Sequence, residues 1–380
     1  MINSVTFKNY RCFGDFTLNE LSKVNILVGM NNSGKSTILE GLYFLQSGNW
    51  NILANVLGRR GWIRHAVTPS NPNQWSQYFN FKDSLFNASS IKRGEEYFSI
   101  EARNSQDFSK VEMKFVNPNA KLDSQLSPTD SVLYNFLGQQ GASMIGQTGM
   151  RAEFSNQKGS FITPLIPLFE GVEVRAETLN HLPNVFSDQR LIPKTHFIFP
   201  ESNDMSSALL GWSQIAFQSD VVSKIIDILK LTKNDIEGIQ QLQLSQTMPP
   251  SFYLKLKDVV SPCPLGSLGD GVRRILYLLL AFPFAKGGIV FIDEIETGIH
   301  FSLMGKLWEM VLEFANKYEV QVFATTHSLD CIKGVSEIFN ENLKSDISVH
   351  RIDKNNQKSI NYSQKEIFEA VNLDEEIRGH

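Results

Sequence analysis

At 380 residues the chain has room for one large α/β domain with insertions, or for two or three ordinary domains. Its 42% hydrophobic and 20% charged residues are those of a soluble globular protein, and a formal net charge of -4 excludes a global positive field that would draw it onto nucleic acid, leaving only a local basic groove open. Cys12, Cys263 and Cys331 are far apart and form no CxxC pair, which argues against a zinc site or a disulfide framework.

In chain order, Ile2 to Phe7 and Phe16 to Leu18 read as the short strands of a hairpin. The start lacks a basic region followed by an apolar stretch, so no signal peptide is expected and a cytoplasmic home follows. VNILVG, Val24 to Gly29, reads as a fully buried strand running into a glycine turn, and Ser36 to Leu45 as a helix. Strand, glycine loop and helix are the opening unit of an α/β fold. From Gly48 to Pro264, Asn, Ser, Gln and Pro are frequent. YFSIEA and VEMKFV, near residues 97 to 116, are strand-like, and DVVSKIIDILKL, Asp220 to Leu231, has helical spacing. The expectation is a meandering sheet plus a helical insertion, and without heptad runs no coiled-coil arm. Trp62, Trp75 and Trp212 in this stretch suit a partner surface or, by default, core packing.

The apolar run Ile275 to Ala285 is well short of the roughly 20 residues of a membrane-spanning helix, so it reads as a core helix, ended by Pro283. Then follow the strand GIVFID, the helix SLMGKLWEMVLEFANKY and the strand VQVFATT. That alternation predicts parallel strands joined by crossover helices.

Gly29 to Thr37, GMNNSGKST, fits GxxxxGK[ST] and lies after a buried strand and at the opening of a helix, where its chemistry requires it. Glycines let the backbone N–H groups of Asn31, Asn32, Ser33 and Gly34 curl toward a β-phosphate, with the helix N-terminus adding favourable partial charge. Lys35 then reaches the β and γ phosphates of ATP, and Ser36, followed by Thr37, offers a hydroxyl to Mg²⁺. GIVFIDEIETGIH puts Asp293 and Glu294 at the end of an apolar strand. Asp293 suits Mg²⁺ through its water shell, while Glu294 suits orienting and deprotonating the attacking water. VQVFATTHS ends in His327, placed to donate to a γ-phosphate. Upstream, Ser267, Gly269 and Gly271 in PLGSLGDGVRR form a small, glycine-flanked helix start, a second phosphate-binding device; a plain capped helix would look the same.

GMNNSGKST, SLGDG, FIDEIETGIH and TTHS in this order resemble the ATPase heads of the ABC type. The likeness is closest to the bacterial AAA-like group that includes RecF, the overcoming-lysogenization-defect (OLD) nucleases and chromosome-maintenance heads. FKNYRCF near the start and EIR near Arg378 also resemble that group. The resemblance implies an α/β P-loop NTPase head with an N-terminal antiparallel β meander and a helical insertion. Its expected parts are residues 1–47 with the phosphate loop, 48–264 as meander and insertion, and 265–380 with the signature, the acid pair and the His switch. It further implies two heads sandwiching ATP. Ser267, Gly269 and Gly271 would then face the partner's nucleotide, and Glu296, Thr297, Gly298 and His300 would line the seam. Arg11 resembles an arginine that family members bring to the nucleotide, although a solvated arginine fits nearly as well. Gln74 and Gln77 both fit the family's metal-contacting Gln loosely.

SLGDG departs from the SGGQ of transporters, and no membrane partner is implied. The chain reaches His380 without the clustered acidic residues of a nuclease domain, so an effector such as a nuclease or toxin is expected on another polypeptide. The roles that fit are a nucleotide-driven switch in anti-phage defence, a RecF-like DNA-repair clamp, or a slow ATP-bound scaffold.

Overall fold

The computed structural model describes residues 1–48, 50–68, 71–116, 149–163, 166–168, 173–175, 194–201, 204–340 and 346–372. The chain forms two compact units. One comprises Met1–Glu20, Ser36–Ile192 and Asp353–Ser359, the other Leu21–Lys35, Pro193–Ile352 and Ile360–His380.

The first unit is built on an antiparallel sheet in the order Ile166–Pro167, Gly149–Asn156, Phe108–Val116, Tyr97–Arg103, Ser4–Tyr10, Phe13–Leu18, with Gly159–Ile162 pairing onto Gly149–Asn156. The opening hairpin is longer than its apolar residues alone suggest. Val5 lies opposite Leu18, Phe7 opposite Phe16 and Tyr10 opposite Phe13, and all six are fully buried. Helix Lys35–Ser47 lies against this sheet at Gly41, where a methyl group would come within 2.8 Å of Phe7 and 3.0 Å of Tyr10. Only hydrogen fits that approach. A separate three-stranded sheet, Glu173–Arg175, Asn71–Asn80 and Ile63–Thr68, was not anticipated: NPNQWSQYFN carries Pro and repeated amides and shows no clean alternation.

The second unit holds a sheet in the order Thr195–Ile198, Ile289–Ile292, Gln321–Thr325, Val24–Val28, Ile347–Asp353, Lys358–Tyr362, whose first five strands are parallel neighbours. Strands Val24–Val28, Ile289–Ile292 and Gln321–Thr325 are buried at every position, as expected of parallel strands covered on both faces. Helices Asp270–Phe284 and Met304–Lys317 supply much of the same core, including Leu276, Leu279, Phe282, Trp308 and Val311. Helix Met205–Ile215 approaches the first of these so closely that a methyl at Gly211 would overlap the Leu280 carbonyl. A small antiparallel sheet, Ile236–Leu242, Ser251–Leu256 and Cys263–Pro264, completes the unit.

Pro283 does not end its helix, which continues to Phe284 with the proline inside its last turn. A proline there forfeits one backbone bond and needs no break, and the helix closes where Ala285 N–H donates to Ala281 O. Among the described residues no helix is long and apolar enough to cross a membrane.

Candidate functional site

Three neighbouring parallel strands of the second unit, Ile289–Ile292, Gln321–Thr325 and Val24–Val28, end side by side. Their carboxyl ends run into the acid pair, the Thr-His segment and the phosphate loop. Ligands of open α/β sheets bind at this edge.

The phosphate loop turns on backbone conformations that few residues adopt: φ is 148° at Gly29, 63° at Asn32 and 102° at Gly34. A methyl at Gly29 would meet Ser33 Oγ at 2.9 Å and Ile352 O at 3.0 Å, so the loop's first turn has no space for a side chain. Met30, Asn31 and Asn32 are exposed, whereas Ser33 is buried and its Oγ finds no hydrogen-bond partner among the described residues. Lys35 opens the helix and arches back, its Nζ donating to Gly29 O at 2.7 Å and Met30 O at 2.9 Å. Ser36 and the largely buried Thr37 follow in the helix's first turn.

At the acid pair, Thr325 links the two carboxylate residues. Its Oγ1 donates to Asp293 Oδ1 at 2.6 Å and accepts from Glu294 N–H at 2.8 Å. Asp293 is 8% exposed. Glu294 sits at φ 49° and is half-buried, and its Oε2 accepts from Thr297 Oγ1 at 3.2 Å. Arg274 holds the same segment by backbone: its Nη1 donates to Phe199 O, its Nη2 to Asp293 O and Glu294 O. Burial pulls the Arg274 guanidinium down to about 10, against the upward pull of the Asp293, Glu294 and Glu296 carboxylates, so it stays charged at neutral pH.

His327 is 46% exposed, with its backbone N–H donating to Glu296 Oε1 at 3.0 Å and its Nδ1 3.4 Å from that oxygen. Glu296 therefore orients the His segment, a role its sequence position did not suggest. The signature segment opens with a 3₁₀ turn, Leu265–Ser267, ahead of helix Asp270–Phe284. Ser267 and Gly269 are exposed, and a methyl at Gly269 would meet nothing within 4 Å. At Gly271, by contrast, it would lie 2.8 Å from Gly298 O. Gly298 and His300 are exposed.

In the first unit Arg11 takes φ 50° and is tied to its own surroundings. Its Nε donates to Ser84 O at 3.0 Å and its Nη1 pairs with Glu40. Arg60 Nε donates to both Glu40 oxygens at 2.9 Å, so one buried carboxylate serves two cations. Gln77 is exposed with its Nε2 3.2 Å from His65 Nε2, while the Gln74 and Trp75 side chains and Arg378 lie outside the described residues. Trp212 packs edge-on against Phe252 in the core, and Trp62 is 39% exposed.

Thr325 and Arg274 went unassigned in the sequence, and Glu296 was placed only at the seam that the resemblance implies, because each acts through a neighbour brought by folding. A Thr at the end of a buried strand, and an arginine directly before the long apolar run of its helix, were the available signals. The donor set suits magnesium, a hard cation that takes one or two protein oxygens and completes its shell with water and phosphate. Asp293 offers a carboxylate already bonded on one oxygen, and no group of three or more His, Cys, Asp or Glu side chains gathers among the described residues. The free Ser33 hydroxyl and the methyl-free Gly29 turn suit a phosphate ester in the loop.

A phosphate loop, an acid pair and a His segment on one parallel sheet edge define a P-loop nucleotide hydrolase. Comparison with known proteins specifies it further. Residues 1–143 match the family model "AAA ATPase domain", and residues 166–330 match "AAA domain, putative AbiEii toxin, Type IV TA system". A protein of Helicobacter pylori (strain ATCC 700392 / 26695) named "ATP/GTP phosphatase" is 26% identical over 354 residues, covering 90% of this chain and 89% of that one. Among solved structures, the SmcHead bound to the C-winged helix domain of ScpA aligns with TM-score 0.47 at 11% identity, over 96% of this chain and 98% of that one. The SMC head domain from Thermotoga maritima aligns with TM-score 0.38 at 12% identity, over 95% and 98%. Residues 1–143 and 166–330 thus each match an AAA-type ATPase domain, and the chain is an ATPase.

Proposed function

We propose that two copies of this chain close over ATP and Mg²⁺, each copy's signature segment completing the other's site, and that this cycle switches a separate effector, a nuclease or toxin, in anti-phage defence. The carrying observation is the exposed, sterically open Ser267 to Gly269 stretch at a helix start. One γ-phosphate is already served by Lys35 and the helix it opens, so a second phosphate-binding device is surplus within a single copy and suits a second nucleotide. Lys35 binds the β and γ phosphates, Asn31 to Gly34 cradle them by backbone, Ser36 and Asp293 hold the metal, and His327 donates to the γ-phosphate. Bound Mg²⁺ neutralises charge on the transferring phosphoryl group. Glu294, aimed by Thr325, Thr297 and Arg274, orients and deprotonates the attacking water. The toxin–antitoxin wording of the family model over residues 166–330 supports a defence setting.

Native mass of the purified chain tests the reading. Glu294→Gln in ATP and Mg²⁺ should double its mass and hold it there, with wild type returning to the smaller species as ATP is consumed. Lys35→Ala should stay small and bind no ATP. A Glu294→Gln chain that keeps the monomer mass at saturating ATP would contradict the proposal.

A further inference from the structure

Helix Asp270–Phe284 begins at the signature segment, and one turn in it carries a buried cation among apolar neighbours. Arg274, 6% exposed, sits between Val272 and Ile275, both buried in the core. A charge in such a place is costly unless its donors are bonded, and the Arg274 Nε finds no partner among the described residues, so the two terminal nitrogens carry the bonding. Here Nη1 reaches Phe199 O at 2.5 Å, and Nη2 reaches Asp293 O at 3.1 Å and Glu294 O at 3.4 Å. These carbonyls lie just past the ends of two neighbouring parallel strands, Thr195–Ile198 and Ile289–Ile292, where the sheet's own hydrogen bonding stops.

Glu294 takes a left-handed conformation, φ 49°, which a side-chain-bearing residue keeps only when its surroundings hold it there. Two groups do so from opposite sides: Thr325 Oγ1 accepts its N–H, and Arg274 donates to its C=O. Three residues before Arg274, Gly271 packs its bare Cα against Gly298 O, a second tie between the same helix start and the loop after the acid pair.

We propose that Arg274 is a positioning residue for hydrolysis: it fixes the Glu294 peptide and carries any displacement of the signature segment to the Glu294 of its own copy. The inference rests on Glu294 as the water-activating group. Through it, engagement of Ser267 by a neighbouring copy's nucleotide reaches the acid pair by one rigid helical turn and one guanidinium. A planar fork serves three carbonyls on two strands better than a flexible ammonium does.

The test uses the purified full chain as wild type, Arg274→Met, Arg274→Lys and Glu294→Gln, measuring ATP affinity, kcat, KM and thermal unfolding. Arg274→Met should lose roughly 100-fold in kcat, the order of loss that an ångström of misplacement produces, with ATP affinity near wild type. Arg274→Lys should recover only part of that loss, because its single ammonium reaches some of these carbonyls and not all three. Wild-type kcat in Arg274→Met beside an inert Glu294→Gln would overturn the inference while leaving the reading of Glu294 intact. So would a parallel fall of affinity, kcat and melting temperature in both Arg274 variants, the pattern of a purely structural residue. Wild-type turnover by Glu294→Gln would overturn the reading of Glu294, and the inference with it.

Discussion

Replacing Thr325 with valine keeps the shape of the side chain and removes the hydroxyl that joins the two acidic residues. Thr325 is 1% exposed, so no solvent takes the hydroxyl's place. Two bonds go at once, the 2.6 Å bond to the Asp293 carboxylate and the 2.8 Å bond from Glu294 N–H. A bond to a charged group contributes about 1.5–3 kcal/mol and a neutral one about 0.5–1.5 kcal/mol, for a combined loss of about 2–4.5 kcal/mol. If about 2 kcal/mol of this reaches the hydrolytic barrier by letting the Glu294 peptide relax, kcat falls about 30-fold. Steady-state phosphate release against ATP concentration, with chemical unfolding of the same samples, reads both effects. Thr325→Ser keeps the hydroxyl and should hydrolyse at close to the wild-type rate. Equal kcat in the valine and serine variants would refute the claim that this hydroxyl sets the acid pair.

The two signature glycines should respond differently to alanine. Gly271→Ala places a methyl 2.8 Å from Gly298 O and should lower the melting temperature, whereas Gly269→Ala meets nothing within 4 Å and should melt as wild type while slowing turnover; equal melting losses would contradict the packing. Burial pushes the Cys331 thiol up to about 12, and the residue is fully buried. At pH 8 it should therefore resist alkylation until the chain is unfolded, and mass mapping that finds Cys331 labelled in the native protein would contradict this.

The strand, loop and helix around Lys35 were legible because a buried parallel strand is a run of apolar residues and the glycines that follow mark the turn. The same holds for Ile289–Ile292 and Gln321–Thr325, and their alternation with helices announced parallel neighbours. The hairpin's length was less visible, since Asn9 and Arg11 hold positive φ at its turn and interrupt the pattern. The sheet containing Asn71–Asn80 stayed hidden because Pro72 and the Asn and Gln residues around it break the alternation, and one of its two partners, Glu173–Arg175, is distant in sequence. Pro283 misled because its helix needed only one more residue, which the last turn tolerates. Among the candidate site residues, chemistry pointed to Lys35, Asp293, Glu294 and His327. The groups that aim them, Thr325, Arg274 and Glu296, do so through backbone and carboxylate contacts no spacing encodes.

If a second copy completes each site, two variants that are dead alone should restore activity when mixed. Lys35→Ala removes the phosphate-binding lysine and Ser267→Arg blocks the signature segment, so each chain alone should be inactive. In a mixed dimer one site combines the intact phosphate loop of one copy with the intact signature of the other. Random pairing of equal amounts makes half the dimers mixed, with one working site of two, so the mixture should recover about one quarter of wild-type activity. A mixture as inactive as its components, or a Ser267→Arg chain that hydrolyses ATP normally by itself, would contradict the shared site.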